Sequence, residues 1–522
     1  MSNAPAILRS LVIYAVCVPL AIVVGYMVTN PMDYSNLGVF GILALVLATP
    51  LLMRWHYPLL ILSLQMTVSL FFIKGSPSLW LVMTVISLGI SVLERTMNSE
   101  RHFIRVPQIT WPLMCLTGVV LLTAKLTGGF GLRAFDSEVY GGKKYVYIIV
   151  GVLLYFALSA RRIPPERAKL FVTLYFFGGL LSFIGDLYPV TPSWAHFIFW
   201  LFPPSYNLFY DTGSPYELGV TRLGGFGFTG LSLCFVLVAR YGIRGIFLSG
   251  KLWLLAVFCL AVSMTFLGGY RAALLTVALV FVIQFFLEGL HRTKLLPLFG
   301  FFGVIAFVIL ISVAPRLPFT VQRTLAFLPL PLDHQARESA QDTMDWRIQM
   351  WTALLPQVPQ YLLLGKGLAI SPEDFTEMMS AGLGVTAGQL DPSQNSSALA
   401  YDYHNGTLAV LIPFGIWGAL TFLWFVIAGL WVMHRNLRYG DPALQSVNIF
   451  LFAYFFVAFV FYFIGGSLNS DMMKFGALLG LSVAINGGVC RRPVPQPVSA
   501  TETFFQSRGS LTRPQPHPAF PR

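Results

Sequence analysis

The residues best suited to chemistry are three arginines and one histidine at the ends of apolar runs: Arg222, Arg271, Arg347 and His404. The arginine guanidinium is planar and permanently charged, and it binds phosphate oxygens through paired hydrogen bonds. Histidine alone in this set can exchange a proton near neutral pH. Arginines at a lipid–water boundary suit a lipid-linked diphosphate. His404, followed by Asn405, suits a general base that activates a hydroxyl group.

Each of these residues also has an ordinary structural explanation. An arginine at a membrane boundary can extend to the lipid headgroups, an arginine on a helix can lie on its polar face, and a histidine can belong to a helix cap. Arg271 is the strongest functional candidate, because the flanking apolar runs leave almost no loop around it. Charge at that depth is costly and is usually functional.

The elements that must position these residues are membrane helices. Of the 522 residues, 56% are hydrophobic and 11% are charged, and the mean hydropathy is +0.71. Soluble proteins carry about 25% charged residues, so an ordinary soluble enzyme is excluded. The apolar runs predict an all-α polytopic membrane protein with about fourteen spans, roughly at 11–28, 37–53, 57–73, 79–93, 111–126, 145–160, 168–187, 223–240, 251–267, 270–290, 295–314, 405–433, 446–466 and 471–489.

The distribution of charge predicts the orientation of these spans. With a cytoplasmic N-terminus, most of the 34 basic residues and few of the 22 acidic residues fall on the cytoplasmic side, as the positive-inside rule requires. Both termini are then cytoplasmic, and all four candidate residues lie on the outer face. The net charge of +12 therefore reports orientation in a lipid bilayer, and we expect no nucleic-acid partner.

The predicted organisation has five parts. N-terminal membrane helices occupy 1–210, with external loops at 127–144 and 188–222, and further helices with the arginine motifs occupy 211–314. A large external loop spans 315–403, C-terminal helices span 404–490, and a disordered cytoplasmic tail covers 491–522. Within the large loop, apolar positions at helical spacing around Arg347 predict an amphipathic helix, whose Trp346 and Trp351 suit a membrane interface.

Several other kinds of site find no support in the sequence. No phosphate-binding GxxxxGK[ST] motif and no GxGxxG between a strand and a helix is present, and HExxH and GxSxG are also absent. The five cysteines form no CxxC pair. We therefore expect no metal and no cofactor.

The candidate residues lie in motifs that resemble those of the O-antigen ligase and O-antigen polymerase superfamily of bacterial membrane glycosyltransferases. Four segments between about 220 and 420 match in order: Thr221-Arg222-Leu223-Gly224-Gly225-Phe226; Tyr270-Arg271-Ala272-Ala273-Leu274-Leu275; Asp345-Trp346-Arg347 with Trp351 and Leu364-Gly365-Lys366-Gly367; and His404-Asn405 with Leu408, Leu411, Gly415 and Gly418. The sequence departs from the family pattern in four ways. Tyr270 replaces the usual Ser, Ala272 replaces the usual Gly, and Gly227-Phe228-Thr229-Gly230 replaces the usual Asn-rich stretch. The predicted number of about fourteen spans also exceeds the twelve or so of a typical ligase.

The resemblance implies a chemistry and a location. Members of the superfamily are inner-membrane proteins that move a glycan from undecaprenyl diphosphate to a sugar hydroxyl at the periplasmic face, without metal or nucleotide. By this resemblance, Arg222, Arg271 and Arg347 bind the diphosphate and His404 activates the acceptor, with Asn405 in support. A chain-length regulator is a further candidate partner.

Three functions stay open from the sequence. The predicted number of spans and the long external loops favour a polymerase of surface polysaccharide or exopolysaccharide over a ligase that attaches the glycan to lipid A-core. A lipid-linked oligosaccharide flippase or transporter is the alternative from another class. A transporter is expected to carry charges near the bilayer midplane and to show repeated halves, and the sequence shows neither.

Overall fold

The computed structural model describes residues 34–98, 102–131, 140–204, 223–380 and 392–492, and a few single positions between 14 and 25. In this part of the chain the regular elements are helices, and β-structure is limited to two isolated bridges. The all-α prediction is confirmed. The α-helices, numbered in chain order, are α1 (Tyr34–Ser63), α2 (Leu79–Met97), α3 (Pro107–Leu126), α4 (Gly142–Ser159), α5 (Pro165–Phe177), α6 (Ile198–Leu201), α7 (Gly224–Phe247), α8 (Leu252–Leu267), α9 (Arg271–Leu287), α10 (Leu295–Val313), α11 (Phe319–Leu325), α12 (His334–Leu354), α13 (Val358–Tyr361), α14 (Pro372–Ser380), α15 (Pro392–Leu399), α16 (Leu408–Tyr439), α17 (Gln445–Gly465) and α18 (Leu468–Asn486).

Several helices have the length and composition of membrane spans. Among the described residues, eight helical segments are long and apolar enough to cross a membrane, and α8 and α9 are shorter apolar helices. One of the eight is α5, which continues into a 3-10 helix over Gly178–Val190. The prediction of a multi-pass membrane protein is confirmed, but the predicted count of about fourteen spans is not. The first predicted run, 11–28, lies largely outside the described residues.

The interpretation of 37–53 and 57–73 as two separate spans was wrong. A single helix, α1, extends through the first run and ends at Ser63, within the second. The remaining residues fold into turns, in which Ser69 N donates to Leu201 O at 2.9 Å and Leu70 N donates to Pro77 O at 2.9 Å. Hydropathy alone does not separate a helix from a buried apolar turn, because both require apolar side chains.

Helices α4 and α18 pack closely in the interior of the bundle. A Cβ atom added to Gly151 of α4 would meet Met472 Cγ at 2.8 Å, and one added to Gly476 would meet the Gly151 carbonyl oxygen. Gly480 lies one turn beyond Gly476 and would meet Leu158 Cβ at 2.7 Å. Small residues four apart let two membrane helices approach to backbone contact. This pair fixes α4, whose first turn faces the large loop.

The described residues of the segment 315–403 contain five α-helices, α11 to α15, and residues 381–391 lie outside the described part. The predicted amphipathic helix around Arg347 is confirmed as part of α12. The predicted domain boundaries stay predictions, and residues 493–522 of the expected disordered tail lie outside the described residues.

Candidate active site

Helix α16 is interrupted close to its N-terminus. Gly415 adopts φ 65° and ψ −165°, a conformation that no helix contains, and Pro413 supplies no backbone N–H. The backbone groups that lack a partner within the helix at this break form hydrogen bonds with a loop of the 315–403 segment. Lys366 N donates to Ile412 O at 2.7 Å, and Ile416 N donates to Leu362 O at 2.7 Å. The break is therefore stable inside an apolar helix because protein backbone replaces the missing bonds.

The glycines of the predicted Gly-x-Gly motif make this contact possible. Gly365 and Gly367 both have φ +77°, in the left-handed region that favours glycine. A Cβ atom on Gly365 would collide with the Pro413 carbonyl, and one on Gly367 would collide with Thr127 Oγ1. Gly367 N also donates to Pro413 O at 2.9 Å. The motif thus brings the large loop against both α16 and the end of α3.

The loop is also anchored to the beginning of α4. Tyr140 and Ile370 exchange two backbone hydrogen bonds of 2.9 and 3.0 Å, and the Tyr140 ring stacks on Phe375 with centroids 3.8 Å apart. Leu368 N donates to the Tyr145 hydroxyl at 2.7 Å. These contacts hold the N-terminal half of the chain and the loop in one arrangement.

His404 lies directly before α16, on a backbone with unusual geometry. Its φ is 47°, and Tyr401 has φ 55°. Such conformations cost about 1–3 kcal/mol for a non-glycine residue and concentrate at functional sites. Two hydrogen bonds hold the segment: Trp351 Nε1 donates to Tyr403 O at 2.7 Å, and the Tyr401 hydroxyl donates to Ala369 O at 2.8 Å.

The His404 side chain has an acidic and an aromatic neighbour. Its Nδ1 lies 3.7 Å from Asp402 Oδ1, and its ring centroid lies 5.8 Å from that of Trp346. The side chain is 33% exposed. A carboxylate near Nδ1 favours the neutral imidazole that carries its hydrogen on Nδ1, so Nε2 keeps a lone pair that can accept a proton.

Arg347 completes this group from helix α12. It is half-buried and interacts electrostatically with both Asp402 and His404. Burial lowers the pKa of the Arg347 guanidinium and Asp402 raises it, and the group stays charged. Burial also lowers the pKa of His404, Asp402 raises that pKa and Arg347 lowers it. The imidazole is therefore biased toward its neutral form, which is the form a base requires.

Trp346 and Trp351, which are predicted to suit a membrane interface, both contact the segment that carries His404. Trp351 donates its ring N–H to the Tyr403 carbonyl and Trp346 packs beside His404, so both rings support the site. Gln394 is 1% exposed and donates to Trp346 O at 2.9 Å, which ties α15 to α12. Polar ring N–H groups that are buried seek such partners.

Asn405 acts on the backbone of α16. Its Oδ1 accepts from Thr407 N at 3.0 Å and from Leu408 N at 3.3 Å. This is the bonding pattern of a helix N-cap. Asn405 therefore fixes the start of the helix that follows His404.

The other two predicted arginines have different outcomes. Arg271 is the half-buried first residue of α9, and only three residues separate it from the end of α8. This corner packs against the start of α7, because a Cβ atom on Gly227 would meet Gly268 Cα at 2.6 Å and the rings of Tyr270 and Phe228 lie 5.6 Å apart. The tight turn predicted around Arg271 is confirmed. Arg222 lies outside the described residues, so its placement stays a prediction.

Two charged residues of this site were not predicted. Asp402 faces His404, and Lys144 at the start of α4 interacts electrostatically with Asp402. Asp402 gave a weak signal, since it precedes His404 by two residues, but only the left-handed turn brings the two side chains together. The sequence carries no signal for Lys144, because more than two hundred residues separate it from His404.

Comparison with known proteins identifies a family for part of the chain. The family model described as O-antigen ligase matches residues 255–423, less than half of the chain. No curated protein matches the chain significantly. The matched segment includes Arg271, Arg347, His404 and Asn405, whereas Arg222 precedes it. Ligase- or polymerase-type glycosyl transfer with lipid-linked glycan substrates is the activity that this family indicates. Residues 255–423 are therefore similar to the O-antigen ligase and O-antigen polymerase superfamily, as the sequence motifs predicted.

Proposed function

We propose that the protein transfers a glycan from undecaprenyl diphosphate to a sugar hydroxyl. The reaction takes place at the membrane face that carries the 315–403 loop, and that face is periplasmic in the bacterial inner membrane. The observation that carries this proposal is that Arg347 and His404 both interact with Asp402, within the segment that matches the O-antigen ligase family.

The proposed step is a displacement at the anomeric carbon of the donor glycan. The acceptor hydroxyl oxygen forms a bond to that carbon while His404 Nε2 takes the hydroxyl proton. The bond from the carbon to the diphosphate oxygen breaks, and undecaprenyl diphosphate leaves with the electron pair. Arg347, Arg271 and Arg222 bind the diphosphate and offset its growing negative charge. Asp402 and Asn405 position His404 and do not touch the substrate.

Two acceptors fit this chemistry. Polymerisation of surface polysaccharide or exopolysaccharide uses the sugar hydroxyl of another repeat unit, and ligation uses lipid A-core. The preference for polymerisation depended on the long external loops and on a count of about fourteen spans, and that count is not confirmed. The match to the O-antigen ligase family does not distinguish the two reactions. Both acceptors therefore enter the test.

The direct experiment is transfer by purified protein in lipid nanodiscs with a synthetic undecaprenyl-diphosphate oligosaccharide. We expect longer glycan, or glycan on added lipid A-core, from the wild type. His404→Ala and Arg271→Ala should each lower the rate by about 100-fold or more. His334→Ala is the matched control, because His334 lies on the exposed surface of α12 in the same loop.

Two outcomes would overturn the proposal. Full activity in both His404→Ala and Arg271→Ala would remove the site assignment. Absence of transfer with every donor, together with movement of the donor across a liposome membrane, would favour the flippase.

The proposed orientation has a separate test. Single cysteines at Glu338, on the exposed face of α12, and at Asp441, between α16 and α17, report the two sides of the membrane. A membrane-impermeant maleimide added to intact spheroplasts should label Glu338→Cys and not Asp441→Cys. The reverse pattern would contradict a periplasmic site.

A further inference from the structure

A tyrosine beside the proposed site has two lysines from distant parts of the chain close to its ring. Tyr401 is 4% exposed and is fixed through its hydroxyl bond to Ala369 O. Lys144 Nζ lies 5.2 Å from the centroid of its ring, and Lys366 Nζ lies 5.7 Å from the same centroid. Both lysines are half-buried, and each ammonium is within the range of a cation–π contact with this ring.

The charges around this tyrosine are mostly positive. Asp402 is the carboxylate that interacts with Lys144, and it also faces His404 and interacts with Arg347. Asp374 is a second carboxylate, and it interacts with Tyr401. Two carboxylates thus stand among two lysines, one arginine and a histidine. Because the lysines are partly removed from water, an anion that reached them would be held more strongly than at an open surface.

The geometry of the two lysines differs from that of the arginines. A lysine ammonium is a compact charge with three rotatable donors, so it accepts an anionic oxygen from many directions. Lys366 is positioned by the Gly365–Gly367 loop, which binds in the break of α16. Lys144 lies in the first turn of α4. The pair forms only because the loop docks on the N-terminal half of the chain.

We propose that Lys144, Tyr401 and Lys366 form a second anion-binding site, which takes a phosphate or carboxylate group of the substrate. This inference rests on the proposed function for the arrival of a glycan substrate at this face. The anionic group has two sources: the diphosphate of the donor lipid, or an acidic substituent on the glycan itself.

The test measures binding and needs no turnover. Protein in nanodiscs is titrated with three probes: a short polyprenyl diphosphate, an oligosaccharide of uronic acids, and a neutral oligosaccharide of the same length. Lys144→Ala and Lys366→Ala should each weaken binding of at least one anionic probe by about 10- to 100-fold, the loss expected for one charge-assisted contact. Weaker binding of the diphosphate probe assigns the site to the donor, and weaker binding of the uronate probe assigns it to the glycan.

The matched control is Lys143→Ala. Lys143 is the neighbouring residue, it is exposed, and its Nζ lies 6.0 Å from the Tyr147 ring centroid, so this variant changes the net charge equally outside the site. Lys144→Arg keeps the charge and should retain most of the affinity, which separates loss of charge from loss of folding. Equal binding by Lys144→Ala, Lys366→Ala and Lys143→Ala would overturn the inference, and so would a wild type that binds both anionic probes no better than the neutral one.

Binding and transfer can fail independently. A protein that binds the anionic probes through the two lysines but transfers nothing would contradict the proposed function alone. A protein that transfers glycan with unchanged affinity in both lysine variants would contradict the anion site alone.

Discussion

Two of the described helices, α7 and α16, are broken at a glycine, and the breaks are closed in different ways. In α7 the break is at Gly242, with φ 64°. The backbone N–H groups of Ile243 and Arg244, which follow the break, donate to the carboxylate of Glu288 at 3.2 and 3.4 Å. In α16 the break is at Gly415, and backbone atoms of residues 362–367 fill it. One break is closed by a single side chain and the other by a loop.

The difference separates a structural device from a functional one. The Glu288 carboxylate also accepts a hydrogen bond from Gln284 Nε2 at 2.7 Å, and the Glu288 backbone carbonyl accepts one from the Arg244 guanidinium. The contacts of Glu288 therefore lie near the ends of α7 and α9. The loop at Gly415 continues into Leu368, which is bonded to Tyr145, and precedes the segment that carries His404. We therefore expect changes at Gly242 to affect stability alone and changes at Gly415 to affect the site.

The largest contrast is expected between Gly365→Ala and Gly242→Ala. Both place a side chain at a positive φ, but the Gly365 Cβ would collide with the Pro413 backbone, whereas the nearest atom at Gly242 is the Glu288 side-chain oxygen at 3.1 Å. Gly365→Ala should lower the free energy of unfolding by at least about 2 kcal/mol and abolish transfer. Gly242→Ala should cost about 1–2 kcal/mol and leave transfer per folded molecule intact.

Thermal unfolding in nanodiscs and the glycan-transfer assay measure these two effects. Gly300→Ala in α10 is the control, because a Cβ atom there meets no atom within 4 Å. Equal activity in the Gly365 and Gly242 variants would remove the functional distinction between the two breaks.

Glu288→Ala tests the break in α7 by removing the side chain that closes it. It leaves the N–H groups of Ile243 and Arg244 without their acceptor, which should cost about 1–3 kcal/mol of stability. The rate of glycan transfer per folded molecule should not change. A loss of transfer comparable to that of Gly365→Ala would show that the α7 break also serves the site.

Asn405→Ala should have a smaller effect. It removes the acceptor for two N–H groups at the start of α16 and should destabilise that end by about 1 kcal/mol. Asn405→Asp keeps the acceptor and should retain stability. Hydrogen exchange at the amides of Thr407 and Leu408 measures the effect, and unchanged protection in Asn405→Ala would contradict the capping role.

The pH profile of transfer tests the charges around His404. Transfer should fall on the acid side as the imidazole becomes protonated and loses its capacity to accept a proton. Because Asp402 raises the pKa of His404, Asp402→Asn should move this acid limb to lower pH. Because Arg347 lowers that pKa, Arg347→Gln should move the limb to higher pH. A limb that stays in place in both variants would argue against His404 as the base.

Part of this architecture was predictable from the sequence and part was not. Long apolar runs and the helical spacing around Arg347 are local signals, and they predicted the membrane helices and α12. The course of residues 65–73 was not predictable, because an apolar turn and an apolar helix have the same composition. The Gly365-Lys366-Gly367 motif was recognisable, but its role in filling the break at Gly415 depends on a contact between residues about fifty positions apart.

The candidate site likewise contains residues that the sequence predicted and residues that it did not. Arg347, His404 and Arg271 stand out because charged or titratable residues are rare in so apolar a chain. Asp402 and Lys144 belong to the same group of charges only through the folded backbone, since one needs the left-handed turn at His404 and the other needs the loop to dock on α4.

The most direct test of the central claim is a double-mutant cycle on glycan transfer with Arg347→Ala and His404→Ala. Residues that act on one transition state lose activity as a unit, so the double variant should be about as slow as the slower single variant. Independent losses that multiply in the double variant, or full activity in either single variant, would contradict the account of Arg347 and His404 as one active site.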